Sequence, residues 1–117
     1  MITPLINALR GEVPMLVRTA PSSGDFLEGV FSRQDLSRCY ALLRDALGQP
    51  AKEFDRPPAF EPAVRAIVGE LGGCRPEQCL FLKRNEAGRT IYAALWPWAS
   101  DQTRITLKVG VCEPHAG

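Results

Sequence analysis

The sequence predicts an α+β domain, a two-layer sandwich in which an antiparallel sheet of three to five strands carries two main helices on one face. Three observations lead there. The stretch from Leu80 to Val111 reads as three short strands separated by turn residues. Arg33 to Leu47 repeats its apolar residues at three- and four-residue spacing, the period of a helix with one buried face. Glu61 to Leu71 repeats that pattern over a shorter span. A chain of 117 residues fits one domain, spanning residues 1–117 with a short flexible tail at 113–117.

The elements follow in order. Leu5, Ile6 and Leu9 line a turn or two of a short helix that starts at Thr3-Pro4, where proline is tolerated, and stops at Gly11. Val13 to Thr19 reads as a strand, with Pro14 holding it to an edge or to the strand's first residues. Pro21-Ser22-Ser23-Gly24-Asp25 is a turn, and Phe26 to Phe31 reads as a second strand, the return arm of a hairpin, with Gly29 either weakening the strand or marking a bulge. In the Arg33–Leu47 helix, Leu36, Cys39, Tyr40, Leu43, Ala46 and Leu47 share a face. Ser32 is placed to cap it, Asp35 suits its positive N-terminal end, and Gly48 and Pro50 end it.

Gln49 to Pro58 is a loop, because Pro57-Pro58 rules out a continuous helix. The next helix turns Phe60, Val64, Ile67, Val68 and Leu71 to one side and closes at Gly72-Gly73. The meander comes last: Leu80 to Arg84, Arg89 to Trp96 and Thr103 to Val111, joined by Asn85-Glu86-Ala87-Gly88 and by Pro97 to Gln102. Side chains alternate across a strand. Ile105, Leu107, Val109 and Val111 therefore face a core, and Arg104, Thr106, Lys108 and Gly110 face away from it. In the middle strand Ile91, Ala93 and Leu95 oppose Tyr92, Ala94 and Trp96, so both faces are apolar and the strand belongs inside the sheet.

Composition excludes some chemistries. A formal net charge of +1 argues against a polybasic nucleic-acid surface. The first ten residues lack the charged start and apolar core of a secretory signal, and no run reaches the roughly 18 to 20 apolar residues of a membrane span. The expected address is the cytoplasm, where the four cysteines are buried thiols rather than disulfides. Cys74 and Cys79 form a close pair. Completing a zinc site would take Cys39, Cys112 or the lone His115, one on a helix's apolar face and one in the tail, so no metal is assigned. His115 in a frayed tail cannot hold catalytic geometry, the carboxylates are scattered, and no phosphate-binding loop or nucleophile elbow is present. No catalytic residue and no cofactor are assigned, and the chain is read as leaning away from an enzyme.

The functional candidate is aromatic. Tyr92, Trp96 and Trp98 gather where the middle strand leaves the sheet, and Lys108 or Arg104 falls across from them, depending on register. Tryptophan supplies a large rigid surface with one donor, which suits a hot spot of binding. The reading is a small cytosolic, non-enzymatic interaction or regulatory module, engaging a protein partner or a second copy of itself through Tyr92, Trp96, Trp98 and Lys108. Nucleic acid is the weaker partner class, and no membrane is involved. Three alternatives stand beside it: the tryptophans cap the core and bind nothing, the chain is a small enzyme or ligand-binding domain whose site forms in an oligomer, or the sheet face takes single-stranded nucleic acid.

Overall fold

The structure is a computed structural model that describes residues 2–18, 26–56, 62–70, 74–84 and 88–112. Its elements are α1 (Thr3–Glu12), β1 (Met15–Val17), β2 (Leu27–Ser32), a 3-10 turn (Arg33–Asp35), α2 (Leu36–Leu47), α3 (Pro62–Glu70), β3 (Cys79–Arg84), β4 (Thr90–Pro97) and β5 (Arg104–Cys112). The five strands form one antiparallel sheet in the order β1-β2-β5-β4-β3. The fold is therefore α+β with a five-stranded antiparallel sheet, the upper end of the expected strand number. The expected turns at 21–25 and 85–87, the tail at 113–117 and His115 lie outside the described residues.

β5, the last strand of the expected meander, is the middle of the sheet, because the N-terminal hairpin docks along it from Leu27↔Val109 to Ser32↔Arg104. One face, here called the closed face, carries Leu27, Phe31, Phe81, Ala93, Leu95, Ile105, Leu107 and Val109, all buried. Leu5, Ile6, Leu9 and Val13 from α1 and its end, and Cys39, Leu43 and Leu47 from α2, complete that core. Each fully buried side chain of this kind contributes about 1.5–3 kcal/mol.

Two helices cover one face, as expected, but they are α1 and α2. α3 was expected beside α2; its Val68 instead packs on the opposite, outer face against Leu80 and Ala94. The cause is β4: it is apolar on both sides, and α1 already fills the closed side, so the outer side takes α3. Phe60, Leu71 and the side chains of Val64 and Ile67 lie outside the described residues.

α1 also runs past its expected stop. Gly11 is helical, and the Val13 N–H closes the helix onto the Leu9 carbonyl at 2.9 Å. Val13 is 1 % exposed, and burying it outweighs the cost of about 1 kcal/mol of a helical glycine. No bulge forms at Gly29, whose register is unbroken on both sides. The glycine serves close packing: a Cβ there would lie 2.7 Å from the Met15 sulfur. The 3-10 turn delays α2 to Leu36, with Asp35 at its N-cap, and Gly48 ends it at φ +83°, as its position predicts.

The loop after α2 bridges one sheet edge at Leu80. The Lys52 N–H donates to the Leu80 carbonyl at 3.1 Å, and the Leu80 N–H returns a bond to Lys52 at 2.9 Å. Lys52 itself is buried. Its ammonium donates to the Pro76 carbonyl and, at 2.6 Å, to the Gln78 carbonyl, which compensates the burial of the charge.

Candidate interaction surface

The outer face of the sheet carries all four residues singled out in the sequence and brings three of them together. Register sets the placement: Tyr92 opposes Gly110, Ala94 opposes Lys108, and Trp96 opposes Thr106. Pro97 ends β4, and the chain turns back to β5 through a tightly tied loop. The Trp98 N–H donates to the Arg104 carbonyl, and the Arg104 N–H donates to the Asp101 carbonyl, both at 3.0 Å. Within the loop the Asp101 carboxylate accepts from the Thr103 N–H at 3.0 Å and from its hydroxyl at 2.6 Å, an arrangement that fixes the turn. Those bonds, with Arg104 at 3.4 Å, hold the Asp101 carboxyl below its ordinary range. Arg33 braces the loop from outside, its backbone N–H reaching the Thr103 carbonyl at 2.8 Å and its side chain the Gln102 carbonyl.

This rigid loop aims Trp98 back over the sheet. Its indole N–H donates to the Thr106 hydroxyl at 2.8 Å. Two guanidiniums reach the ring, Arg104 at 5.5 Å from its centroid and Arg18 at 5.9 Å. Arg18 follows β1 at the far edge, where its N–H donates to the Glu28 carbonyl at 2.7 Å. The Lys108 ammonium lies 4.5 Å from the Trp96 centroid and 3.7 Å from the Glu28 carboxylate. Each such cation–π pair contributes about 0.5–1 kcal/mol at an exposed site. Trp96 and Trp98 are both half-buried, one against Lys108 and α3's cluster, the other on Thr106.

Tyr92 sits apart from this group. Its ring lies over Gly110, so that a Cβ there would be 2.6 Å from the tyrosine oxygen, and it packs with Leu80, Ala94 and Val68. The structure thus joins Trp96 and Lys108, links Trp98 to them through Thr106, and gives Tyr92 to the patch beneath α3. Arg18 and Thr106 are the members that the sequence reading missed. Thr106 is found once the β4–β5 register is known. Arg18 carries no local signal, because it arrives only when the N-terminal hairpin pairs with β5.

A second polar cluster lies at the edge of the closed-face core. The Tyr40 hydroxyl donates to Glu53 at 2.6 Å, and the Cys79 thiol approaches the same carboxylate at 3.7 Å. Tyr40 also meets Phe81 edge to face, with ring centroids 5.3 Å apart. Burial, with Glu53 adding to it, pushes the Cys79 thiol up to about 12, and burial alone does the same to Cys39. Burial also raises the half-buried Cys74. Thiols so raised are poor nucleophiles at neutral pH. Cys39, Cys74 and Cys79 are free thiols, and no group of metal-ligating side chains exists among the described residues. The Cys112 side chain lies outside them. No helix among the described residues is long and apolar enough to cross a membrane.

No family model matches this chain, and neither a curated protein nor a solved structure matches it.

Proposed function

We propose that this chain is a non-enzymatic interaction module that holds a protein partner on the outer face of its sheet, around Trp96 and Trp98. One observation carries the reading: two tryptophans and three cations, Arg18, Arg104 and Lys108, meet on the face whose β3–β4 end α3 covers. Such a surface offers rigid aromatic area with charge at its rim, the composition of a binding hot spot. A cytoplasmic address accords with the three free thiols.

The test is the Trp96→Ala, Trp98→Ala double variant, compared with the parent in affinity capture and in light scattering. The expected variant keeps its circular dichroism spectrum and loses the captured partner or the self-association. A variant that unfolds makes both tryptophans core residues and ends the proposal. The same face chemistry serves single-stranded nucleic acid. Titration with an oligonucleotide separates the two, since binding that weakens steeply with salt would replace the protein partner by nucleic acid.

A further inference from the structure

The outer edge of β1 is unpaired among the described residues. β1 ends the strand order and pairs only with β2 among the described residues. The Arg18 N–H points inward to Glu28, and the Leu16 carbonyl also turns toward β2, 3.3 Å from where a Gly29 Cβ would be. Alternation therefore turns the backbone N–H and C=O groups of Met15 and Val17 outward. The missing N–H of Pro14 falls on the β2 side, so the proline does not interrupt the open side.

Two features beside this edge specify a ligand. Leu16, at 67 % exposed, is the one large apolar side chain left in water among the described residues, and its pairing with Val30 puts it on the outer face. Next to it runs a groove of about 440 Å³, lined by apolar Met15, Leu16, Val30 and Phe31 and flanked by Arg18 and Arg104. No carboxylate lines it among the described residues. Arg104 has Asp101 at 3.4 Å, whereas Arg18 meets the Trp98 ring and no carboxylate among the described residues.

We propose that β1 is a strand-addition site for an extended acidic segment of the protein partner. The segment adds as a sixth strand, bonding to the backbone of Met15 and Val17. Leu16 and Arg18 are two residues apart on one face, so the added strand presents an apolar side chain to Leu16 and, two residues away, a carboxylate to Arg18. Backbone bonds supply affinity, and the alternate side chains supply specificity. The inference rests on the outer face being a partner surface, and it names the segment that surface takes.

The probe is a capped octapeptide, threonine-leucine-threonine-glutamate repeated twice, titrated into the isotope-labelled full chain. The expected result is a shift of the Met15 and Val17 amides and of the Trp98 indole N–H. Arg18→Glu should weaken binding at least about tenfold, the scale of a lost charge-assisted hydrogen bond. Backbone methylation of the peptide along one edge should abolish binding, which leaves the protein's own folding out of the question. Unmoved Met15 and Val17 amides, or equal binding of a lysine-for-glutamate peptide, would overturn the proposal. So would a dimer seen by light scattering that Leu16→Ser dissolves while the peptide fails to bind, since the edge would then serve a second copy. Loss of the partner in the tryptophan variant without peptide binding would sink the edge site alone. Peptide binding that survives in that variant, with its partner capture also intact, would sink the tryptophan surface and keep the edge.

Discussion

The two faces of this sheet solve different problems with the same five strands. The closed face meets two helices and buries large aliphatic side chains completely, with Leu43, Leu95, Ile105 and Leu107 at 0 % exposure. The outer face buries Val68, Leu80 and Ala94 beneath α3 and continues as half-buried aromatics, cations and hydroxyls. Apolar packing holds the first, and register, a braced turn and cation–π contacts order the second. A face ordered by polar contacts keeps its shape without needing to exclude water, which leaves it free to meet another molecule. On the proposed reading, stability and recognition fall to opposite sides of one sheet, and substitutions should separate them.

The largest perturbation of the closed side is alkali, which acts on three groups at once. Cys39, Tyr40 and Cys79 are each pushed up to about 12, chiefly by burial, from ordinary values of 9.0 for the thiols and 10.0 for the phenol. Folding holds these protons more tightly than the unfolded chain does. The stability they add is complete below about pH 9 and is lost as the pH rises through about 12. The urea midpoint should stay level up to about pH 9 and fall beyond it, with native thiols slow to alkylate at pH 8. A midpoint unchanged up to pH 12 would break the comparison. Next comes Leu43→Ala, expected to cost about 2–5 kcal/mol in chemical denaturation, the range for an emptied core leucine.

The outer face should respond less. Gly110→Ala places a Cβ against the Tyr92 ring, and displacing that ring should cost about 1–3 kcal/mol. A neutral result would mean that Tyr92 moves freely and that α3's patch is loose. The smallest effect is that of Thr106→Val, which removes the acceptor of the Trp98 indole. It should cost about 0.5–1.5 kcal/mol and shift the tryptophan emission as the ring lets go. A loss as large as that of Leu43→Ala would erase the distinction between the faces.

Local patterns were legible in the sequence where a local force decides the structure. The α2 periodicity, the end at Gly48 and the alternation along β4 and β5 all reflect side chains choosing between core and solvent, and the structure follows them. The sequence could name Lys108 and Arg104 as the cations across from the aromatics because their strand follows β4 after a short turn, but which ring each meets depends on the register. What stayed hidden depends on partners far along the chain. Nothing near Leu27 signals that it will lie beside Val109, so β5's central position and Arg18's arrival at Trp98 could not be read. The side taken by α3 was equally closed to inspection, since its apolar stripe suits either face and α1 decides by occupying one. Lys52 reads as an ordinary loop cation, because its burial depends on carbonyls of Pro76 and Gln78 more than twenty residues on.

The bridge between Lys52 and Leu80 sets the valence of the molecule. A sheet with two open edges is divalent, so copies can add to both ends and propagate as a filament. Here the chain's own loop occupies the β3 edge at Leu80, and among the described residues no strand pairs with the outer side of β1. A strand arriving at β3 in line with Leu80 would have to displace Lys52, so among the described residues β1 is the edge that takes a strand without breaking bonds already made. Growth by strand pairing is thereby biased toward a single addition at β1 rather than toward a filament.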